Sequence, residues 1–152
     1  IIFEWSNLEC PYVKRHYGSN NMQTTQKFAK SKNVIWITVI SSAEGKQGYI
    51  QPNDALNTFA SFGSFPDHIL IDENGDLGKK FNAKTTPHIF IADKNKNIVY
   101  QGAIDDAGGT KFWTTDLNQS TNYVKKVVND IKSNNPLSVS KTRPYGCSVK
   151  YG

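Results

Sequence analysis

Only two cysteines and one methionine occur among 152 residues. Cys10 and Cys147 lie near opposite ends of the chain, which excludes a disulfide-dense scaffold and a zinc site built from four cysteines. Either they meet in space or each is a lone thiol. Long apolar runs are missing too. The longest, residues 34–40, is interrupted by Thr38 and has the length of a strand, so no membrane insertion is expected. The chain carries a formal charge of +5, but its lysines are scattered and form no dense basic run. A nucleic-acid footprint would cluster on one face, so nucleic acid is not an expected partner. There is no initiating Met: the chain starts at Ile1-Ile2-Phe3, and we expect residues upstream of it that would have carried any targeting signal. Internal repeats and low-complexity segments are absent. Eight Phe, seven Tyr and three Trp within a 38% hydrophobic fraction suffice to fill one core. We therefore expect one domain over residues 1–152, with a core to about 133 and a C-terminal tail, 134–152, that carries Cys147.

Residues 1–5 read as a strand, and the polar turn Ser6-Asn7-Leu8-Glu9 leads to Cys10-Pro11, where proline suits the first helical position. The following helix is expected to break near Gly18-Ser19-Asn20-Asn21. Residues 34–40 are β-branched and apolar, as in a strand covered on both faces. Strand, helix and buried strand together suggest a parallel crossover. Pro52-Asn53-Asp54 opens a short amphipathic helix that closes at Gly63. Residues 68–72 read as a strand, Asn74-Gly75 as a tight turn, and 77–81 as a turn or two of helix. Residues 88–92 and 97–101 flank a polar turn and predict a hairpin. Residues from about 116 to 132 show helical spacing, and the tail, with Pro136 and Pro144, is too irregular for a helix. Parallel crossovers followed by a hairpin and a closing helix predict a three-layer α/β sandwich with a mixed central sheet.

Cys10 is the leading candidate for chemistry. At a helix start, unpaired backbone donors and the helix dipole favour a thiolate, and Lys14 and Arg15 one turn on are expected to add positive charge, against Glu9. The alternative is an inert cysteine packed as a small hydrophobe. His16, His68 and His88 lack zinc-finger or His-Glu-x-x-His spacing, and His16 falls on a different helical face from Cys10, so neither a metal site nor a Cys-His pair is expected. Asp72-Glu73-Asn74-Gly75-Asp76 has a calcium-loop flavour, but its glycine falls too early and the bidentate Glu is missing, so it reads as a polar turn. Asn118-Gln119-Ser120 is a formal glycosylation acceptor of a kind that arises often by chance.

Three segments carry a resemblance. Residues 5–17, Trp-Ser-Asn-Leu-Glu-Cys-Pro-Tyr-Val-Lys-Arg-His-Tyr, resemble the active-site stretch of the redoxin group of the thioredoxin superfamily, in its peroxiredoxin-like thiol-disulfide oxidoreductase subgroup. Lys84-Thr85-Thr86-Pro87-His88 is similar to the family's Thr-Pro loop, and Gly146-Cys147-Ser148-Val149-Lys150-Tyr151 to the subgroup's C-terminal tail. The resemblance implies a thioredoxin-like fold and a cis bond at Pro87 facing Cys10. It also implies a substrate groove shaped by Pro11, Thr86 and Pro87, with the backbone of Thr86 open to an extended substrate. Two departures stand out: Val13 occupies the place of the second cysteine of a Cys-x-x-Cys motif, and Phe3 and Asn7 replace the Pro and Thr of the peroxiredoxin pattern.

The resemblance thus implies a thiol-disulfide oxidoreductase with Cys10 as nucleophile and Cys147, reached by a folded-back tail, as resolving thiol. A free tail cysteine or a purely structural bond is the other reading of Cys147. No cofactor is implied. The expected partners are a protein or small-molecule disulfide, or a peroxide, and an external thiol electron donor; the expected location is extracytoplasmic, in a bacterial periplasm. A thiol peroxidase with an antioxidant role and a non-catalytic peptide-binding domain are the alternatives.

Overall fold

The first crossover forms where the apolar pattern places it. In the computed structural model, which describes residues 1–152, β1 (Ile2–Trp5) is followed by α1 (Pro11–Gly18), α2 (Asn21–Ser31) and β2 (Trp36–Ile40). The two helices separate at Asn20, whose φ of 65° is left-handed, a conformation that asparagine tolerates better than most residues. Beyond β2 come α3 (Ala55–Ser61), β3 (His68–Ile71), α4 (Asp76–Phe81), β4 (Thr85–Thr86), β5 (His88–Ala92), β6 (Ile98–Gly102), α5 (Tyr123–Lys132) and β7 (Cys147–Ser148). Asp72, offered by sequence as a polar turn, does that work: its carboxylate accepts from the backbone N–H groups of Leu77 and Gly78 and so satisfies the start of α4.

The central sheet has the order β3-β2-β1-β5-β6, with β1, β2 and β3 parallel and β5 and β6 antiparallel. Strand alternation divides the core into two layers. Ile2, Trp36, Ile40, Ile89, Ile91 and Tyr100 pack with Val13, Tyr17, Met22 and Val127 of the helices. On the opposite face Trp5, Val39 and Phe90 meet Leu77 and Phe81 of α4 and Val149 of the tail. The expected α/β three-layer sandwich with a mixed sheet is the observed architecture.

The final helix is shorter than its periodicity predicts. Asp116 caps a 3-10 turn at Leu117–Gln119 by accepting from Asn118 N, and Asp106 holds Thr121 N in an extended link. Helix α5 starts only at Tyr123, where Asn122 accepts from Lys125 N at 3.0 Å. The tail is irregular but tied down. Residues 140–142 run along the outer edge of β6 through Gln101, and Thr142 Oγ1 meets the Tyr100 hydroxyl at 2.6 Å. The chain then crosses to β4.

No helix is long and apolar enough to cross a membrane.

Candidate active site

Cys10 is delivered by a turn built on Asn7. The Asn7 side-chain oxygen accepts from Glu9 N at 2.9 Å and its carbonyl accepts from Cys10 N at 3.0 Å, a local alternative to strand pairing that asparagine favours. Cys10 is the N-cap of α1 and Pro11 its first residue. The first turn of α1 holds no acidic residue, and Glu9 turns away to accept from Gly48 N. Arg15 is engaged by a distant segment of the chain. Its guanidinium donates to the carbonyls of Phe112 (3.0 Å) and Thr115, because a loop from another part of the chain supplies acceptors there. The position of Cys10 at the N-cap sets its sulfur at the positive end of the helix dipole.

Opposite Cys10 stands the loop from Lys84 to His88, in which the Thr86-Pro87 peptide is cis. The tail lies against this loop. Strand β7 pairs antiparallel with β4, Thr86 facing Cys147 and Thr85 facing Ser148, and Val149 N continues the ladder to Lys84 O at 3.1 Å. Cys10 and Cys147 are joined by a disulfide across a Cα–Cα distance of 6.2 Å, within the range such bonds require. Cys10 Sγ is also 3.4 Å from the Thr86 carbonyl, which its thiol can reach as a donor once the bond is reduced. Cys10 is fully buried, whereas Cys147 is half-buried. Gly146 is required by close approach: its φ is +145°, and a side chain there would run into the Thr86 carbonyl. Beyond the disulfide, Tyr151 donates to Ala83 O at 2.7 Å.

Two features of the site were not singled out from sequence. A ring of buried polar groups stands behind the tail. Asn21 Nδ2 bridges His16 Nδ1 (3.0 Å) and Asp105 Oδ2 (3.2 Å); the Tyr145 hydroxyl donates to Asp105 Oδ1 and meets His16 Nε2 at 3.2 Å. Burial, with the Arg15 charge nearby, lowers the His16 pKa to about 3 and keeps its ring neutral. Burial raises Asp105, while the Tyr145 hydroxyl opposes that rise. Tyr12, also unread, packs its ring against Phe112 (4.9 Å), Trp113 (5.0 Å) and Tyr145 (6.1 Å), and with Tyr145 lines a groove of about 690 Å³ beside Gly146. The second feature is Glu4, fully buried in β1, which accepts from Trp36 Nε1 (3.0 Å), Thr38 Oγ1 (3.1 Å) and the Tyr17 hydroxyl (2.9 Å). Burial outweighs these donors and raises its pKa to about 7. A lone acid within Ile-Ile-Phe-Glu-Trp was a visible signal for it; Asp105, in a loose segment, offered none.

The other histidines are occupied or remote: His88 Nδ1 accepts from Lys84 N at 3.1 Å, and His68 is exposed on β3.

No protein-family model and no curated protein matches the chain. Solved structures do. A hypothetical protein from Sinorhizobium meliloti aligns with a TM-score of 0.78 at 17% identity, covering 99% of this chain and 79% of that one. An uncharacterised conserved protein from Geobacillus kaustophilus aligns at 0.76 and 20% identity, covering 99% and 76%. A thioredoxin-like protein solved in its oxidised form aligns at 0.56 and 16% identity, covering 89% and 78%. At such identities the likeness speaks for architecture, and with the sheet order and layers above it establishes that this chain has a thioredoxin-like fold.

Proposed function

We propose that the chain is a thiol-disulfide oxidoreductase in which Cys10 is the nucleophile, Cys147 the resolving thiol, and Pro11, Thr86 and Pro87 the walls of the substrate groove. The observation that carries this reading is the disulfide between the N-cap of α1 and the tail strand paired to Thr86. A donor thiolate attacks the half-buried Cys147 sulfur; the disulfide breaks and Cys10 leaves with the electron pair, as a thiolate stabilised at the helix start. A second donor thiol then releases Cys147 and departs as the donor disulfide. In the other half-cycle the Cys10 thiolate attacks a substrate disulfide, one substrate sulfur leaves as a thiolate, and Cys147 attacks Cys10 to free the other. No cofactor takes part in these steps. Electrons come from an external thiol donor, and a protein or small-molecule disulfide is the substrate.

An extracytoplasmic location, in a bacterial periplasm, fits a bond that persists where thiols are oxidised. The peroxidase reading has less support. The polar contact at Cys10 Sγ is an acceptor, the Thr86 carbonyl, whereas cleaving an O–O bond calls for donors that polarise it. Turnover of a disulfide and of a hydroperoxide by the wild type, Cys10→Ser and Cys147→Ser tests the proposal. Disulfide turnover lost in Cys10→Ser supports it. Faster peroxide consumption, with a sulfenic acid trapped at Cys10 in Cys147→Ser, would favour the peroxidase. Equal activity of all three proteins would leave a peptide-binding domain.

A further inference from the structure

Resting on that reading, we propose that the tail is a tethered copy of the substrate. The site accepts an extended segment of another polypeptide with a tyrosine two residues before the reacting cysteine, glycine immediately before it, and a β-branched residue two after.

The tail is held in two ways that differ in what they read. Backbone pairing of Thr86 with Cys147, Thr85 with Ser148 and Lys84 O with Val149 N is available to any extended chain. Selection comes from the side chains on either side of the cysteine. Two residues before it, the Tyr145 hydroxyl fills the gap between Asp105 and His16, while its ring lies 6.1 Å from Tyr12 and 5.4 Å from Phe112. Asp105 and His16 are each within 1% of complete burial. A segment without that hydroxyl leaves His16 Nε2 unpaired and Asp105 short of a donor, a penalty that discriminates more sharply than an apolar pocket does. At the residue before the cysteine, a positive φ and the Thr86 carbonyl admit only glycine. Two residues after it, Val149 packs against the cluster of Trp5, Val39 and Phe90.

Reduction breaks the Cys10–Cys147 link, and in the groove beside Thr86 the tail is then held by contacts that a similar segment can reproduce, with the Tyr151 bond to Ala83 O lying beyond it. Tail and partner segment pair with the same face of Thr86 and exclude one another. The Cys10 thiolate attacks the partner's cysteine sulfur, and the other half of the partner disulfide leaves with the electron pair as a thiolate. When the tail returns to the groove, Cys147 attacks Cys10 and the partner cysteine leaves as a second thiolate. The partner disulfide is reduced to two thiols and the Cys10–Cys147 pair is oxidised.

The test uses the full-length, reduced Cys147→Ser variant and a peptide of residues 143–150, Arg-Pro-Tyr-Gly-Cys-Ser-Val-Lys, whose cysteine is joined to thionitrobenzoate. Release of the coloured thiolate is followed by stopped flow, each peptide's rate being divided by its rate with free dithiothreitol. Peptides with Gly146→Ala or Tyr145→Ala should react at least about tenfold more slowly than the parent. Varying the peptide leaves the fold of the protein untouched. Equal normalised rates for the three peptides, with release abolished by Cys10→Ser, would overturn the tail-copy proposal and leave the oxidoreductase reading standing. Release independent of Cys10, or none even from the symmetrical disulfide of thionitrobenzoate, would remove the oxidoreductase reading itself.

Discussion

Glu4→Gln should make the protein more stable at neutral and alkaline pH, by an amount that the surroundings of the carboxyl define. Glu4 lies in β1 on the face covered by α1 and α2, where Ile2 on the same strand is fully buried. Complete burial raises its pKa and more than offsets the lowering by Trp36, Tyr17, Thr38 and Ser6, leaving it at about 7 against an ordinary 4.5. The native state therefore holds a proton that the unfolded chain has already released. Between pH 4.5 and about 7 the wild type loses stability at about 1.4 kcal/mol per pH unit, or about 3 kcal/mol in all, and above pH 7 the full loss remains.

Glutamine occupies the same shape and does not titrate. Its oxygen can keep the Trp36 and Thr38 donors and its amide can donate to the Tyr17 oxygen. Ser6 Oγ, buried near the carboxylate but without a hydrogen-bond partner, is a further acceptor. Urea unfolding of both oxidised proteins from pH 4.5 to 8 provides the assay, because other titrating groups, His16 and Asp105 among them, contribute equally to each and cancel in the difference. The variant's advantage should grow by about 3 kcal/mol across that range. A difference independent of pH would show that Glu4 titrates normally in the fold, and would refute the balance of burial over donors argued here.

Reduction should lower unfolding stability by up to about 5 kcal/mol, the chain-entropy value for a link spanning 137 residues; coincident urea midpoints for the oxidised and reduced proteins would count against it. Tyr145→Phe removes the hydroxyl shared by Asp105 and His16 and should cost the oxidised state about 1–3 kcal/mol, which lowers the exchange constant against glutathione by about 5- to 150-fold. An unchanged constant would mean that the buried ring does not hold the tail. Asn122→Ala removes the cap of α5 and a 2.9 Å bond to Thr25, and should cost about 1 kcal/mol in thermal unfolding followed by circular dichroism; no change would place the start of α5 under other control.

What the sequence disclosed depended on how local the cause was. The apolar stretch before Ser41, the proline after Cys10 and the polar turn between residues 92 and 97 each act on their own neighbours, and the strand, helix start and hairpin form close to where they predict. Residues 116–120 have helical spacing, yet side chains of Asp106 and Asp116 hold the backbone otherwise, and hydrophobic period says nothing about such bonds. At the site, the pairing of Cys10 with Cys147 came from resemblance, since no rule of spacing links residues so distant. The ring around His16 was illegible for the same reason: Tyr145, which meets its Nε2, and Asp105, which shares Asn21 and Tyr145 with it, lie 129 and 89 positions away. The acceptors of Arg15 were illegible because proximity along a helix says where a side chain starts and not which acceptor it reaches.

In the proposed cycle, the contacts that seal Cys10 also limit how fast it can act. With the tail docked, Cys10 is fully buried, so every bond that favours docking raises the oxidised population and lowers the fraction of reduced molecules whose thiolate can meet a substrate. The two directions of the cycle therefore respond oppositely to the same change. Weakening the Tyr145 hydroxyl contact exposes Cys10 for attack on a substrate disulfide but slows its recapture by Cys147. In the proposed cycle, reduction by a donor responds less to this trade-off, because Cys147, unlike Cys10, is only half-buried with the tail docked. A tail that binds by a short ladder, the Tyr145 and Tyr151 hydroxyls and one valine, rather than by a large apolar face, suits an element that leaves and returns in each turnover of the proposed cycle.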